Sequence, residues 1–172
     1  MTIRRSFVVG WLLLGLIGCS GSLFTQPTAV PTKIQQVPAD LRISLERTMC
    51  FGECPIYQVT IDATGKVTYQ GKDFVKTVGR AEANINNEQL LTLINAFVAS
   101  NYWNYKASYE FAGPECNGMM SDMPNVDTSI TMNGTTKSVR HYYGCEGFAG
   151  EAELKALEDL IDTTVNVNQW TD

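Results

Sequence analysis

Four cysteines in the later part of the chain have the type and spacing of a disulfide framework: Cys50, Cys54, Cys116 and Cys145. Four cysteines allow three pairings, and an oxidising compartment favours two disulfides over free thiols. We favour a Cys50–Cys54 pair, because Gly52 lets the segment curl until the α-carbons lie within the roughly 4.4–6.8 Å that a disulfide requires. We also favour Cys116–Cys145, since both residues flank one predicted hairpin. The crossed pairings remain open.

Zinc, redox and haem chemistry fit these cysteines less well. A Cys₄ zinc site normally has two closely spaced pairs, and this chain has one. A redox-active pair has two intervening residues, whereas three separate Cys50 from Cys54. Haem attachment needs a histidine directly after the second cysteine, and Pro55 stands there. We therefore expect no cofactor.

His141 is the only histidine. It precedes Cys145 by four residues, so it is a candidate base for a thiol nucleophile, which would make the protein a thiol-dependent enzyme. Four residues of extended strand span about 13 Å, however, so the two side chains meet only if the chain turns at Gly144. We favour a partly buried, hydrogen-bonded histidine on the inner face of a hairpin.

Methionines are clustered before that hairpin, at Met119, Met120 and Met123. Thioethers bind copper(I), and His141 would add a nitrogen ligand, so a periplasmic copper-binding protein is an alternative function. Methionine also fills gaps in ordinary cores.

The loop over residues 108–125 is long for a small domain, and such loops are either functional or disordered. Cys116 indicates that the loop is tied down, which makes it the best candidate for a binding surface. Our candidate binding residues are Asp122 in this loop and Arg140 and His141 in the following hairpin.

The N-terminus has the pattern of a bacterial lipoprotein signal peptide over residues 1–19. Two arginines precede an apolar run that ends in Leu16-Ile17-Gly18-Cys19. The run has about ten residues, too few to span a membrane, which needs roughly 20. We expect Cys19 to be lipidated and Ser20, the next residue, to favour the outer membrane, with the protein facing the periplasm.

The charge excludes some partners. The full chain has a net charge of −5, and removal of residues 1–19 makes it −7. Nucleic acid is excluded because duplex binding needs a basic patch, and adhesion to anionic lipid is disfavoured. We expect a membrane attachment through acyl chains and a protein or small-molecule partner at the cell envelope.

Residues 20–39 contain three prolines among polar residues and predict a flexible tether. Residues 40–172 have the length and composition of a single globular domain. Alternating apolar residues predict strands near 41–46, 57–61, 67–69 and 74–78, and a hairpin over 126–141.

Turn chemistry fixes two registers. A three-residue loop with Gly65 in the left-handed conformation pairs Ile61 with Val67. An Asn133-Gly134 turn pairs Val126 with His141.

Two helices complete the pattern. Asn86 or Asn87 caps the first, which ends near Asn101, and the second runs from about Glu151 to Thr163. The order predicts an α+β fold: an antiparallel sheet of about five to six strands with two helices packed on one face.

Several motifs resemble a bacterial family described as domain of unknown function 6438. They are Cys50-Phe51-Gly52-Glu53-Cys54-Pro55-Ile56-Tyr57, Asp122-Met123-Pro124 and the hairpin end Val139-Arg140-His141-Tyr142-Tyr143-Gly144. The resemblance covers about residues 41–160 and implies one domain with this strand order. Members of the family often carry lipoprotein signals, and the family has no assigned activity. The resemblance also implies that the Cys116 and Cys145 pair is an addition to the shared pattern.

No catalytic motif is present, so we expect a protein that is not an enzyme. We predict a membrane-anchored envelope lipoprotein with a disulfide-stapled binding or structural domain.

Overall fold

Alternation of apolar and polar side chains produces the strands of this protein. A computed structural model describes residues 33–172, so Cys19, the predicted signal peptide and most of the predicted tether lie outside the described residues. The strands are β1 (Arg42–Arg47), β2 (Ile56–Asp62), β3 (Lys66–Asp73), β4 (Gly79–Asn84), β5 (Ser108–Tyr109), β6 (Gly118–Met119), β7 (Asn125–Met132), β8 (Thr135–Tyr142) and β9 (Cys145–Glu146).

Seven of these strands form one sheet in the order β4-β3-β2-β1-β7-β8-β5, and β6 pairs with β9 in a second, two-stranded sheet. All pairs in the large sheet are antiparallel except β5 with β8, which is parallel. The prediction of five to six strands was therefore wrong. The two-residue β5 is too short to give a sequence pattern. The strand predicted at 74–78 is instead a connection, and β4 follows it with only glycine and alanines on its inner side.

The predicted registers are confirmed. Ile61 lies opposite Val67 across the β2–β3 turn, where Gly65 has φ +84°. Val126 lies opposite His141 across the Asn133-Gly134 turn.

Three helices and a short 3-10 helix follow or interrupt the strands: α1 (Asn87–Ala99), the 3-10 helix Tyr102–Asn104, α2 (Glu151–Val165) and α3 (Asn168–Thr171). Asn86 caps α1 by accepting a hydrogen bond from the Gln89 N–H, while the Gln89 side chain accepts one from the Asn86 N–H. This reciprocal capping satisfies two otherwise unpaired donors. The third helix was not predicted.

One face of the large sheet is apolar and buried. Its inward side chains share a core with Leu93, Phe97 and Leu154 of the helices. The opposite face is polar, with Ser44 bonded to Ser129 and Arg140 near Asp127. The buried strand residues are Ile43, Leu45, Val59, Ile61, Val67, Tyr69, Val126, Ile130 and Val139.

The β2–β3 turn gives a test of this register. Gly65 has a positive φ, and a Cβ there would lie 2.1 Å from the Ile85 carbonyl oxygen. We expect Gly65→Ala to lower the free energy of unfolding by more than about 2 kcal/mol, because strain and a backbone clash add. Gly134 also has a positive φ (+73°) but no atom near the position of a Cβ. Gly134→Ala should therefore cost about 1–2 kcal/mol. Urea unfolding measures both, and equal losses would contradict the packing at Gly65.

Candidate functional site

The connections at one end of the large sheet carry exposed apolar side chains. Strands β1, β3 and β8 end at this edge of the sheet, and strands β2, β4 and β7 start there. We call the segments 48–55, 74–78 and 110–124 the apolar end. All the exposed large apolar residues within 33–172 lie there: Met49, Phe51, Phe74, Val78, Phe111, Met119 and Met120. Phe51 is 87% exposed, so it contributes almost nothing to the core.

A disulfide and backbone bonds hold the first segment. Cys50 is bonded to Cys54, with α-carbons 5.8 Å apart, as predicted. The Phe51 N–H donates to the Asp122 carbonyl at 3.0 Å, which joins this segment to the long loop. The exposed Phe51 ring is therefore presented from a restrained backbone.

The long loop is tied down as well. Cys116 is bonded to Cys145, with α-carbons 5.0 Å apart, which confirms the favoured pairing. The Tyr142 hydroxyl donates to the Met120 carbonyl at 2.9 Å and accepts from the Met123 N–H at 3.2 Å. The edge of the Phe111 ring packs on Tyr142, with centroids 5.6 Å apart.

The opposite end of the sheet is polar. The Asp40 carboxylate accepts hydrogen bonds from the N–H groups of Asn133 and Gly134, at 2.9 and 2.7 Å, and these bonds lower its pKa. The Asp62 carboxylate caps the β2–β3 turn. The hydrogen bond that it accepts from the Thr64 hydroxyl is the main reason why the pKa of Asp62 is lowered. Exposed apolar side chains are thus concentrated at one end only.

The charge around the apolar end is negative. Lys106 is paired with Glu115 at 3.3 Å and Lys72 with Glu46. Among the described residues at this end, Lys76 is the basic side chain without an ion pair. The acidic side chains there without one are Glu53, Asp73, Glu110, Asp122 and Glu146.

A second polar cluster lies inside the protein, between the sheet and α2. His141 and Glu158 are fully buried, and His141 Nδ1 lies 3.1 and 3.2 Å from the two carboxyl oxygens of Glu158. Burial raises the pKa of Glu158. His141 Nε2 has no hydrogen-bond partner. Since neither side chain reaches solvent, this pair has no access to a substrate in the structure.

Arg47 extends this cluster. Its guanidinium donates to the Asp162 carboxylate at 2.7 Å and to the Tyr143 hydroxyl at 3.2 Å. Burial and the neighbouring acid groups raise the pKa of Tyr143. The interpretation of His141 as a hydrogen-bonded histidine on the inner hairpin face is confirmed, and its burial is complete.

The candidate binding residues do not come together. Asp122 lies at the apolar end, Arg140 lies on the polar sheet face 3.5 Å from Asp127, and His141 is in the core. Sequence reasoning missed Glu158. The signal was its position four residues after Leu154 and three before Ile161, which puts it on the apolar stripe of α2.

The proposed copper ligands are also in different environments. Met119 and Met120 are exposed, whereas Met123 is partly buried and His141 fully buried. Neighbouring side chains in a strand point to opposite faces, so Tyr142, which holds the loop, faces away from His141. No group of three or more His, Cys, Asp or Glu side chains suited to a metal occurs in residues 33–172.

The Cys145 sulfur is bonded to Cys116 and buried, so it is not a free nucleophile in this structure. While the disulfide is closed, Cys145 therefore cannot act as a thiol nucleophile with His141 as its base.

A family model described as domain of unknown function (DUF6438) matches residues 41–165. The chain belongs to this family. The match spans β1 to the end of α2, so both ends of the sheet and the buried cluster belong to the family domain. No curated protein matches the chain. Within the described range, none of the helices has the length and apolar character needed to cross a membrane.

The raised pKa of Glu158 predicts a pH-dependent stability. The folded protein binds the proton of Glu158 more tightly than the unfolded chain does. The bound proton therefore contributes its full stabilisation below the ordinary glutamate pKa, and this contribution to the free energy of unfolding is lost as pH rises through the raised pKa. We expect E158Q to gain stability relative to wild type as pH rises from about 4 to 8, because glutamine has no proton to lose.

Urea unfolding at several pH values measures this difference. Glu153 is exposed on the same helix, so E153Q is the matched control and should follow the wild type. Parallel pH profiles for E158Q and wild type would contradict the prediction.

Proposed function

We propose that this chain is a lipid-anchored protein of the bacterial cell envelope whose apolar end binds a protein partner without catalysing a reaction. The observation that carries the proposal is the collection of exposed apolar side chains on restrained loops at one end of the sheet. Exposed apolar patches rimmed by polar groups mark interaction sites. Restrained loops also lose less conformational entropy on binding.

The charge pattern favours a protein over a lipid surface. The unpaired acids around the apolar end outnumber the unpaired lysine, so an anionic bilayer would be repelled. A partner with an apolar centre and a basic rim is complementary. The row of loops crosses from β4 to β8, about 24 Å at the usual strand spacing, which is wide enough for a protein interface.

We also infer that α1 and α2 cover the same face of the sheet. Buried residues of both helices belong to the core that contains the inward strand residues, and Glu158 and Asp162 of α2 contact His141 and Arg47. The polar face then remains open.

Lipidation at Cys19 is the first part of the proposal to test. We expect Cys19→Ala to abolish incorporation of labelled palmitate and to move the chain out of the membrane fraction, because the acyl chains supply the anchoring energy. Cys50→Ser/Cys54→Ser changes two other cysteines and should leave the label in place. Unchanged labelling in Cys19→Ala would contradict the lipoprotein assignment.

Binding at the apolar end is tested by site-specific photo-crosslinking in the native bacterium. A photoreactive residue in place of Phe51 in the full chain should yield a discrete crosslinked protein. The same residue in place of Thr64, which is exposed at the polar end, should yield none. Phe111→Asp should reduce the Phe51 crosslink more than ten-fold, because burying an aromatic ring contributes about 1.5–3 kcal/mol.

Thr64→Asp is the matched control, since it adds the same charge at the polar end and should leave the crosslink intact. Glu53→Lys should also weaken the crosslink if the partner has a basic rim. Equal crosslinking from Phe51 and Thr64, or no effect of Phe111→Asp, would refute the proposed surface.

A further inference from the structure

A second surface feature borders the apolar end, with which it shares residues 115–117 of the long loop. It is a groove of about 630 Å³ between the end of α1, the segment after the 3-10 helix, the loop at 115–117 and the loop before α2. This volume lies within the range of small-molecule sites, about 300–1,000 Å³. Tyr109 and Phe148 line its base, where their rings stack with centroids 3.8 Å apart.

Two sides of the groove are joined by the Cys116–Cys145 disulfide. Glu115 and Asn117 flank Cys116 on one side, and Gly147 follows Cys145 on the other. The Asn117 N–H donates to the Glu146 carbonyl at 2.8 Å, and the Asn117 side chain donates to the Gly147 carbonyl. The disulfide therefore fixes the distance between these two sides.

Backbone conformation shapes the rest of the groove. Gly150 has φ +85°, and a Cβ there would lie 2.7 Å from the Tyr105 hydroxyl oxygen. That hydroxyl donates to the Gly150 carbonyl at 2.7 Å, and burial raises the pKa of Tyr105 to about 12. The Tyr105 hydroxyl is therefore uncharged at neutral pH, and its hydrogen bond holds Gly150 in position. The groove is formed by restrained residues before any ligand arrives.

The lining has a definite chemical character. Asn101 and Asn104 are exposed, and their side-chain amides make no hydrogen bond within the described residues. Lys106 is neutralised by Glu115, which leaves Glu153 as the unpaired charge. Anionic ligands are therefore disfavoured. Neutral amides with both donors and acceptors suit a neutral ligand that has both as well.

We propose that this groove binds a neutral ligand bearing amide and hydroxyl groups, of the class of N-acetylated oligosaccharides with two or three sugar rings. The amides of Asn101 and Asn104 pair with its acetamido groups. The Cys116–Cys145 disulfide keeps the opposite side in place. The groove contains none of the exposed apolar side chains of the apolar end, so its test does not depend on the protein-binding proposal.

The test uses the full chain purified in detergent and isothermal titration calorimetry with triacetylchitotriose. Maltotriose is the comparison, since it has three sugar rings with hydroxyls and no amide. We expect saturable binding of triacetylchitotriose and at least ten-fold weaker binding of maltotriose. Absence of triacetylchitotriose binding overturns the proposal, and equal affinities overturn the amide recognition.

Variants locate the binding. Asn104→Ala should weaken the affinity about five-fold, the effect of one net hydrogen bond of about 1 kcal/mol. Asn87→Ala, an exposed residue at the start of α1 outside the groove, should leave the affinity unchanged. An unchanged affinity in Asn104→Ala would place the binding elsewhere and refute the site.

The two disulfides give a further matched pair. Cys116→Ser/Cys145→Ser should weaken binding at least ten-fold, whereas Cys50→Ser/Cys54→Ser should not change it. Circular dichroism checks that both variants are folded. If the first variant does not fold, Gly150→Ala replaces it and should also weaken binding, because the new methyl group displaces Tyr105. Equal effects of both disulfide variants would contradict the role of Cys116–Cys145.

Discussion

Arg47 at the end of β1 and His141 near the end of β8 both meet α2, where their partners are Asp162 and Glu158. The two acids are four residues apart and therefore share one face of the helix. Arg47 and Asp162 form a largely buried ion pair, so removing either partner would leave the other charge uncompensated, at a cost of about 3–5 kcal/mol. This double contact fixes the rotation of α2 against the sheet. It thereby fixes the segment between β8 and α2, which contains Cys145 and the groove residue Phe148.

The apolar end follows from a related constraint. The core is built mainly from the strands and the helices. Val75, Cys116 and Met123 of the connections pack against it, whereas the exposed apolar side chains of the apolar end stay largely outside it. An apolar loop exposed to water would normally collapse or move. Here the Cys50–Cys54 disulfide and the Tyr142 hydroxyl hold the loops in place. Holding these apolar side chains in exposed positions lowers the stability of the fold. It also reduces the conformational entropy that the loops lose when a partner binds.

Sequence reasoning succeeded where local chemistry decides the structure. Asn133-Gly134 and Gly65 each determine a turn, so the pairings of Val126 with His141 and Ile61 with Val67 followed. It failed at β4, because the inward residues of this strand, Gly79, Ala81 and Ala83, are too small to give a clear apolar alternation. The apolar end could not be predicted, because a pattern of apolar residues does not distinguish a core phenylalanine from an exposed one such as Phe51. Glu158 could not be predicted as the partner of His141, because their contact depends on how α2 packs against the sheet.

The two disulfides have different places in the architecture. Cys50 and Cys54 lie four residues apart in the connection between β1 and β2, whereas Cys116 and Cys145 lie 29 residues apart and join the long loop to β9. The first pair restrains Phe51 at the apolar end, and the second joins two sides of the groove. Without the second pair, the loop at 115–117 would keep only its hydrogen bonds to the segment after β8, so the width of the groove depends on this disulfide.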